Sequence, residues 1–245
     1  MKKTKITIAF LGEIPIKLDK QIISKRVSNF FIIDKIVNIP ITSNADGQNW
    51  DYSDDNINGL LPINYSGDFL LTITHVPLED NYYARRFSNN RICATLYEIA
   101  DILKVSNIPI ENLIYRLLYS YLLIYKRYGN RIPQQNEITN FTHDETRKCL
   151  FDMNGIKSDV IYSTNKPQLC SECLIRLKKD GITENDLNQI QKELKKINKV
   201  LYYRILDFIQ QNPIWTIIIS SITAIILGVI GSVIASFVYE AIKNY

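Results

Sequence analysis

The chain opens on an apolar run, Ile6–Leu11, that reads as a buried strand. Leu18–Phe30 carries Ile22, Ile23, Val27 and Phe30 at helical spacing, and the β-branched stretch Phe31–Ile41 reads as a second strand meeting Pro40. Polar Thr42–Asp54 reads as a surface loop and Ser53–Leu61 as a short helix capped by Ser53. Asp68–His75 is the strongest strand signal in the chain. Asp80–Asn90 reads as a loop or edge, Arg91–Leu96 as an edge strand and Tyr97–Val105 as a short helix. In Glu111–Tyr128, Leu113, Leu117, Tyr121 and Ile124 repeat every three to four residues. Its other faces carry Ile114, Leu118, Leu122 and Tyr125, so this helix belongs at the centre, and Gly129 can end it in a left-handed cap. Strands alternating with helices predict an α/β (α+β) head.

Beyond Gly181 the pattern changes. Thr183 caps a helix with acidic residues in its first turn. Leu187, Ile190, Leu194, Ile197 and Leu201 then follow at 3-4-3-4 spacing, which predicts a coiled-coil seam; the same stripe also fits packing on the head of its own chain. The run from Phe208 to Tyr239 holds no charge, and Pro213–Tyr239 is long enough to cross a bilayer core of about 30 Å. The expected organisation is a head over residues 1–180, a stalk helix over 183–212, one transmembrane helix over 213–239 and a short tail over 240–245. Ser220, Ala224, Gly228 and Ser232 recur every four residues, a spacing that lets transmembrane backbones approach. Together with the Leu187–Leu201 stripe it predicts a homo-oligomer.

Lys195, Lys196, Lys199 and Arg204 precede the span and Lys243 follows it. The positive-inside rule places the head in the cytoplasm, on a single-pass anchor in the inner (cytoplasmic) membrane. The basic start of the chain imitates a signal peptide, but Glu13 closes its short apolar run, so none is expected. Net charge is +4 with both signs spread along the chain, which gives no nucleic-acid signal.

A cytoplasmic head changes the meaning of the four cysteines, because a reducing compartment favours metal binding over disulfides. Cys170-x2-Cys173 presents two thiolates from one turn, Cys149 lies 21 positions earlier, and His143 six before that. Three thiolates and one imidazole satisfy tetrahedral zinc, with Asp144 the alternative fourth ligand. Asn154-Gly155 between the halves suits a hairpin turn, so the expected unit is a zinc-stapled hairpin. A redox role for the CxxC is disfavoured, because Lys166–Leu169 does not look like the strand that precedes such a motif. Cys93 stands apart and reads as a small buried hydrophobe.

These residues resemble the archaemetzincin-like zinc proteases. That family carries HExxHxxGxxH, a Cys, four residues, a second Cys, a Met, a spacer and CxxC. Here His143 is similar to the third histidine and Asp144 stands at the first cysteine, followed by Cys149, Met153 and Cys170-x2-Cys173. Weaker similarity extends over Ile6–Gly12, 69–87 and 94–98. The resemblance implies a three-layer metzincin-like head with a structural zinc. The catalytic part is missing. The chain has two histidines, His75 and His143, and ungapped counting puts Pro133, Gln134 and Glu137 where HExxH requires its histidines and glutamate. In the gapped register, helix 117–125 offers only tyrosines and leucines of consequence. The implied head is a pseudoprotease with no catalytic residues.

A dead head on a self-associating span predicts sensing or docking of a protein or small-molecule signal, followed by a membrane event, as in a bacterial defence-type effector. The alternatives are a membrane-tethered hydrolase using a non-metzincin site around His75 or His143, and a passive adaptor. The stretch 82–91 mixes Arg85, Arg86 and Arg91 with Tyr82, Tyr83 and Phe87, which suits either a solvated edge or a grip on a phosphate or base.

Overall fold

The computed structural model describes residues 2–139, 142–143 and 146–244. Five strands form one sheet: β1 (Thr4–Leu11), β2 (Phe31–Ile39), β3 (Phe69–Thr74), β4 (Ala84–Phe87) and β5 (Arg91–Thr95). Their order is β2-β1-β3-β5-β4, with every pairing parallel except β4 against β5. The stretch expected as an edge, β5, is therefore interior, and β4 is the edge. Asn89 and Asn90 turn the chain between them at φ 57° and 54°, a left-handed conformation that asparagine tolerates.

Alternation along the strands builds two apolar layers. Ile6, Ile8, Phe10, Phe69, Leu71, Ile73, Ile92 and Ala94 join the main core, while Leu11 and Cys93 join a smaller one with Ile57 and Leu61. The smaller layer lies under α2 (Asp54–Leu60), which Ser53 caps by accepting from the Asn56 N–H. The short α1 (Lys20–Ser24) occupies only part of the helix expected over Leu18–Phe30. In the main core, α3 (Ile99–Val105) precedes α4 (Ile110–Arg127). Every residue of α4 from Asn112 to Tyr125 is buried, as its apolar faces foretold. Gly129 follows at φ 67°.

The remaining head helices are α5 (Val160–Thr164), α6 (Ser171–Lys179) and α7 (Glu184–Leu194). The expected hairpin around Asn154-Gly155 does not form. The described residues of 142–169 make two isolated bridges, His143 with Asp152 and Cys149 with Gln168, and α5 lies between the halves. Asn154 does turn the chain, at φ 50°, but its side chain bonds locally to the Asp152 carbonyl rather than starting a return strand.

The coiled-coil seam is also corrected. Leu187, Ile190, Leu194 and Ile197 are all within 1% of complete burial in the head core. Three-to-four spacing specifies one apolar face, and here that face is covered by the chain's own head. Glu193 fixes the docking: its carboxylate accepts from Tyr119 Oη (2.6 Å), Ser28 Oγ (2.7 Å) and the Asn29 N–H (2.9 Å). Burial, together with this bond to Glu193, pushes the Tyr119 hydroxyl well above its ordinary pKa. Glu193→Ala leaves two buried hydroxyls, Tyr119 and Ser28, and the part-buried Asn29 N–H without their acceptor. It is expected to cost about 3 kcal/mol, measured as a fall in the urea midpoint of the detergent-solubilised protein.

The compact head runs to Lys199, and Val200–Tyr245 forms a second unit. In it, α8 (Leu201–Gln211) exposes Leu201, Ile205 and Phe208 on one side. Pro213 then starts α9 (Pro213–Lys243) at a position where its missing N–H costs no helical bond. This helix is 31 residues long and contains an 18-residue stretch with a mean hydropathy of 2.6, long and apolar enough to cross a membrane. No atom lies within 4 Å of where a Cβ on Gly228 or Gly231 would stand.

Candidate metal centre and cavity

The four sequence-selected ligands meet. One donor atom each from His143, Cys149, Cys170 and Cys173 lies within 4.8 Å of the others. His143 Nε2 is 3.2 Å from Cys149 Sγ, 3.1 Å from Cys173 Sγ and 3.5 Å from Cys170 Sγ. The Cys149 and Cys173 sulfurs are 3.7 Å apart. A tetrahedron with zinc–sulfur bonds of about 2.3 Å has sulfur–sulfur edges of about 3.8 Å and slightly shorter nitrogen–sulfur edges. The donor set therefore fits zinc in size as well as in chemistry.

Local backbone structure presents each donor. Cys170 is the N-cap of α6 and Cys173 lies in its first turn, so the helix start splays both thiols to one side. The CxxC thus opens a helix, and no named strand precedes it over 166–169, as the sequence suggested. The Cys149 N–H donates to the Thr146 carbonyl, and Leu150 N–H and Gln168 N–H tie the flanking segments together. His143 is held between Phe151 and Met153 by main-chain bonds at both N–H and carbonyl. Its Nδ1 is buried without a hydrogen-bond partner among the described residues, and its Nε2 faces the sulfurs. Asp144, the alternative ligand, lies outside the described residues.

Without metal, crowded thiols share protons. The hydrogen bond between Cys149 and Cys173 holds the first thiol below, and the second above, the ordinary cysteine value. A divalent cation removes that conflict by taking all the thiolates at once. Cys93 is fully buried in the other layer, and desolvation pushes its thiol well up, as a packing residue requires.

A cavity of about 640 Å³ lies between β4, α4 and the segment after Cys149. Arg86 comes from β4 and Tyr83 from the residue just before it, Arg116, Leu117, Ser120, Tyr121 and Ile124 come from α4, and Phe151 to Gly155 from the loop. The sequence reading singled out Tyr83 and Arg86 but missed Arg116. Its signal was a single charge, Arg116, within the otherwise uncharged stretch of α4 from Asn112 to Tyr125. The other arginines of that stretch are structural. Arg85 pairs with Asp54 (3.1 Å) and Asp80 (3.3 Å), and Arg91 donates to Ser88, Asn58 and Leu61. Burial pushes the Arg86 guanidinium below its ordinary pKa.

His75 does not assemble an acid–base pair. Glu79 accepts from the Asp54 N–H at the start of α2, Asp80 is taken by Arg85, and His75 Nδ1 has no hydrogen-bond partner.

No family model matches the chain, and no curated protein matches it. Among solved structures, a crystal structure of archaemetzincin from Methanopyrus kandleri is similar. The similarity covers 73% of this chain and 95% of that one, at 12% identity and a TM-score of 0.44.

Proposed function

We propose that the protein is a membrane-anchored, non-catalytic zinc protein with an archaemetzincin-like head. The head receives a protein or small-molecule signal, and self-association of α9 carries the response into the membrane, in the manner of a bacterial defence-type effector. The observation that carries this reading is the closed donor set. Zinc held by His143, Cys149, Cys170 and Cys173 has its four positions filled by protein, which is the mark of a structural rather than a catalytic site. The α4 side chains on the cavity are Arg116, Leu117, Ser120, Tyr121 and Ile124, and none is a zinc ligand. Lys195, Lys196, Lys199 and Arg204 before the span support a cytoplasmic head.

Self-association falls to Ser220, Ala224, Gly228 and Ser232, because the Leu187–Ile197 face is occupied within the head. Chemical crosslinking of the full-length protein in membranes tests it. A Cβ added at Gly228 meets no other atom within 4 Å beyond the local helix backbone, so an effect of the leucine is expected to report contact with another helix. Gly228→Leu is expected to weaken association roughly five- to thirty-fold, for a steric penalty of about 1–2 kcal/mol. Unchanged crosslinks would remove this seam.

A further inference from the structure

Arg116 sits midway along α4, only 2% exposed, and lines the cavity. Its Nη1 donates to Tyr83 Oη (3.3 Å) and its Nη2 to the Asp152 main-chain carbonyl (3.0 Å). Its Nε is buried with no acceptor. Among the described residues no carboxylate pairs with it. The nearby Asp152 carboxylate accepts from the Asn154 N–H instead. Arg85, equally buried, is neutralised by Asp54, and Arg127 by Asp180. A guanidinium removed from water without a counter-charge is costly, and the structure keeps this one on the wall of a cavity. Arg86 lines the same space and gives its Nη1 to the Pro133 carbonyl (3.0 Å).

The cavity is much larger than an inorganic anion and falls within the range of small-molecule sites, roughly 300–1,000 Å³. Aromatic rings share it with the cations. The Tyr83 ring centre is 5.5 Å from Arg116 Cζ, and Tyr121 and Phe151 lie on the lining. Guanidinium forks match phosphate oxygens, and ring faces suit a planar base.

We propose that this cavity binds a nucleotide-sized phosphorylated molecule, its phosphate held by Arg116 and Arg86 and its ring against Tyr83 and Tyr121. The inference names the signal for the receiver role above and rests on that reading. Phosphate supplies the counter-charge that Arg116 lacks in the protein. Phosphate is favoured over a single carboxylate because two arginines border one space.

Isothermal titration calorimetry of the full-length, zinc-loaded protein in detergent tests the site, with AMP, inorganic phosphate and adenosine as probes. AMP is expected to bind saturably, phosphate more weakly, and adenosine not at all. Arg116→Gln is expected to weaken AMP about tenfold or more, with Arg116→Lys retaining part of the binding. Zinc content per chain checks that each variant folds. Should Arg116→Gln lose zinc, Arg86→Gln carries the same expected loss. Absence of AMP and phosphate binding at millimolar concentration would overturn the site, as would AMP binding unchanged in a zinc-loaded Arg116→Gln protein. AMP binding that leaves the membrane crosslinks unchanged would support the site and contradict the receiver role.

Discussion

Replacing Cys173 by serine in the full-length protein is expected to release zinc and lower the melting midpoint by about 8–16 °C. The size follows from linkage. A metal at about 1,000 times its dissociation constant stabilises the folded state by about 4 kcal/mol. For a chain of this size each kcal/mol is worth roughly 2–4 °C. The loss spreads because the centre belongs to the core. Cys149, Leu150 and Phe151 are 0%, 1% and 4% exposed and join the same apolar cluster as α4 and α7. Freed from metal, the described residues of 146–173 have only the short α5 and the start of α6 as named α-helices to hold them there. Acid is expected to act in the same direction, since thiolates and imidazole must be unprotonated to bind zinc. The stabilisation is present at neutral pH and lost as pH falls and protons displace the metal. Metal analysis and calorimetric melts check both. A Cys173→Ser protein with wild-type zinc and an unshifted melt would contradict the assignment, while Cys93→Ser is expected to retain its zinc.

Two aspartates in α9 are expected to move the protein out of the membrane fraction. Ile226 and Ile230 lie near the middle of Pro213–Lys243 and on one face of the helix. At the centre of a span an aspartate costs about 2.5–3.5 kcal/mol, whereas isoleucine contributes about −0.3 to −0.6. Ile226→Asp with Ile230→Asp therefore opposes insertion by roughly 6–8 kcal/mol, more than a ten-thousandfold change in partition. The head should keep its zinc, because its four donors all precede Lys199, where the first compact unit ends. Ultracentrifugation of lysed cells followed by metal analysis of the soluble fraction reads both. A double variant that stays fully in the membrane pellet would contradict a spanning role for α9.

The elements legible in the sequence are those whose environment writes a simple pattern. β1 and β3 are buried on both faces, so Ile6–Leu11 and Phe69–Thr74 read as near-continuous apolar runs in which only Thr7, Thr72 and Thr74 are polar. The all-round apolar pattern of α4 placed it centrally, and Ser53 and Thr183 marked helix starts by their side-chain chemistry. The four candidate metal ligands were legible because Cys170-x2-Cys173 with a separated Cys149 and His143 matches the donor set of tetrahedral zinc.

What the pattern hid was partnership. The Leu187–Ile197 stripe has the same spacing whether it meets a second chain or its own head, and the decisive residue is a polar one, Glu193. Asn154-Gly155 signalled a turn correctly, but a turn does not say whether a strand or the short α5 follows. The edge assignment of Arg91–Leu96 failed because nothing in that stretch says that β4 will pair outside it. Arg116 escaped notice because a cation in mid-helix usually reaches solvent, and only the three-dimensional surroundings reveal that it does not.

The most direct test of the central claim is zinc-edge X-ray absorption on the purified full-length protein. A closed structural centre predicts about one zinc per chain, with three sulfurs at about 2.3 Å and one nitrogen at about 2.0–2.1 Å. A metal-free protein would contradict it, as would a first shell of nitrogen and oxygen with a water-bearing position.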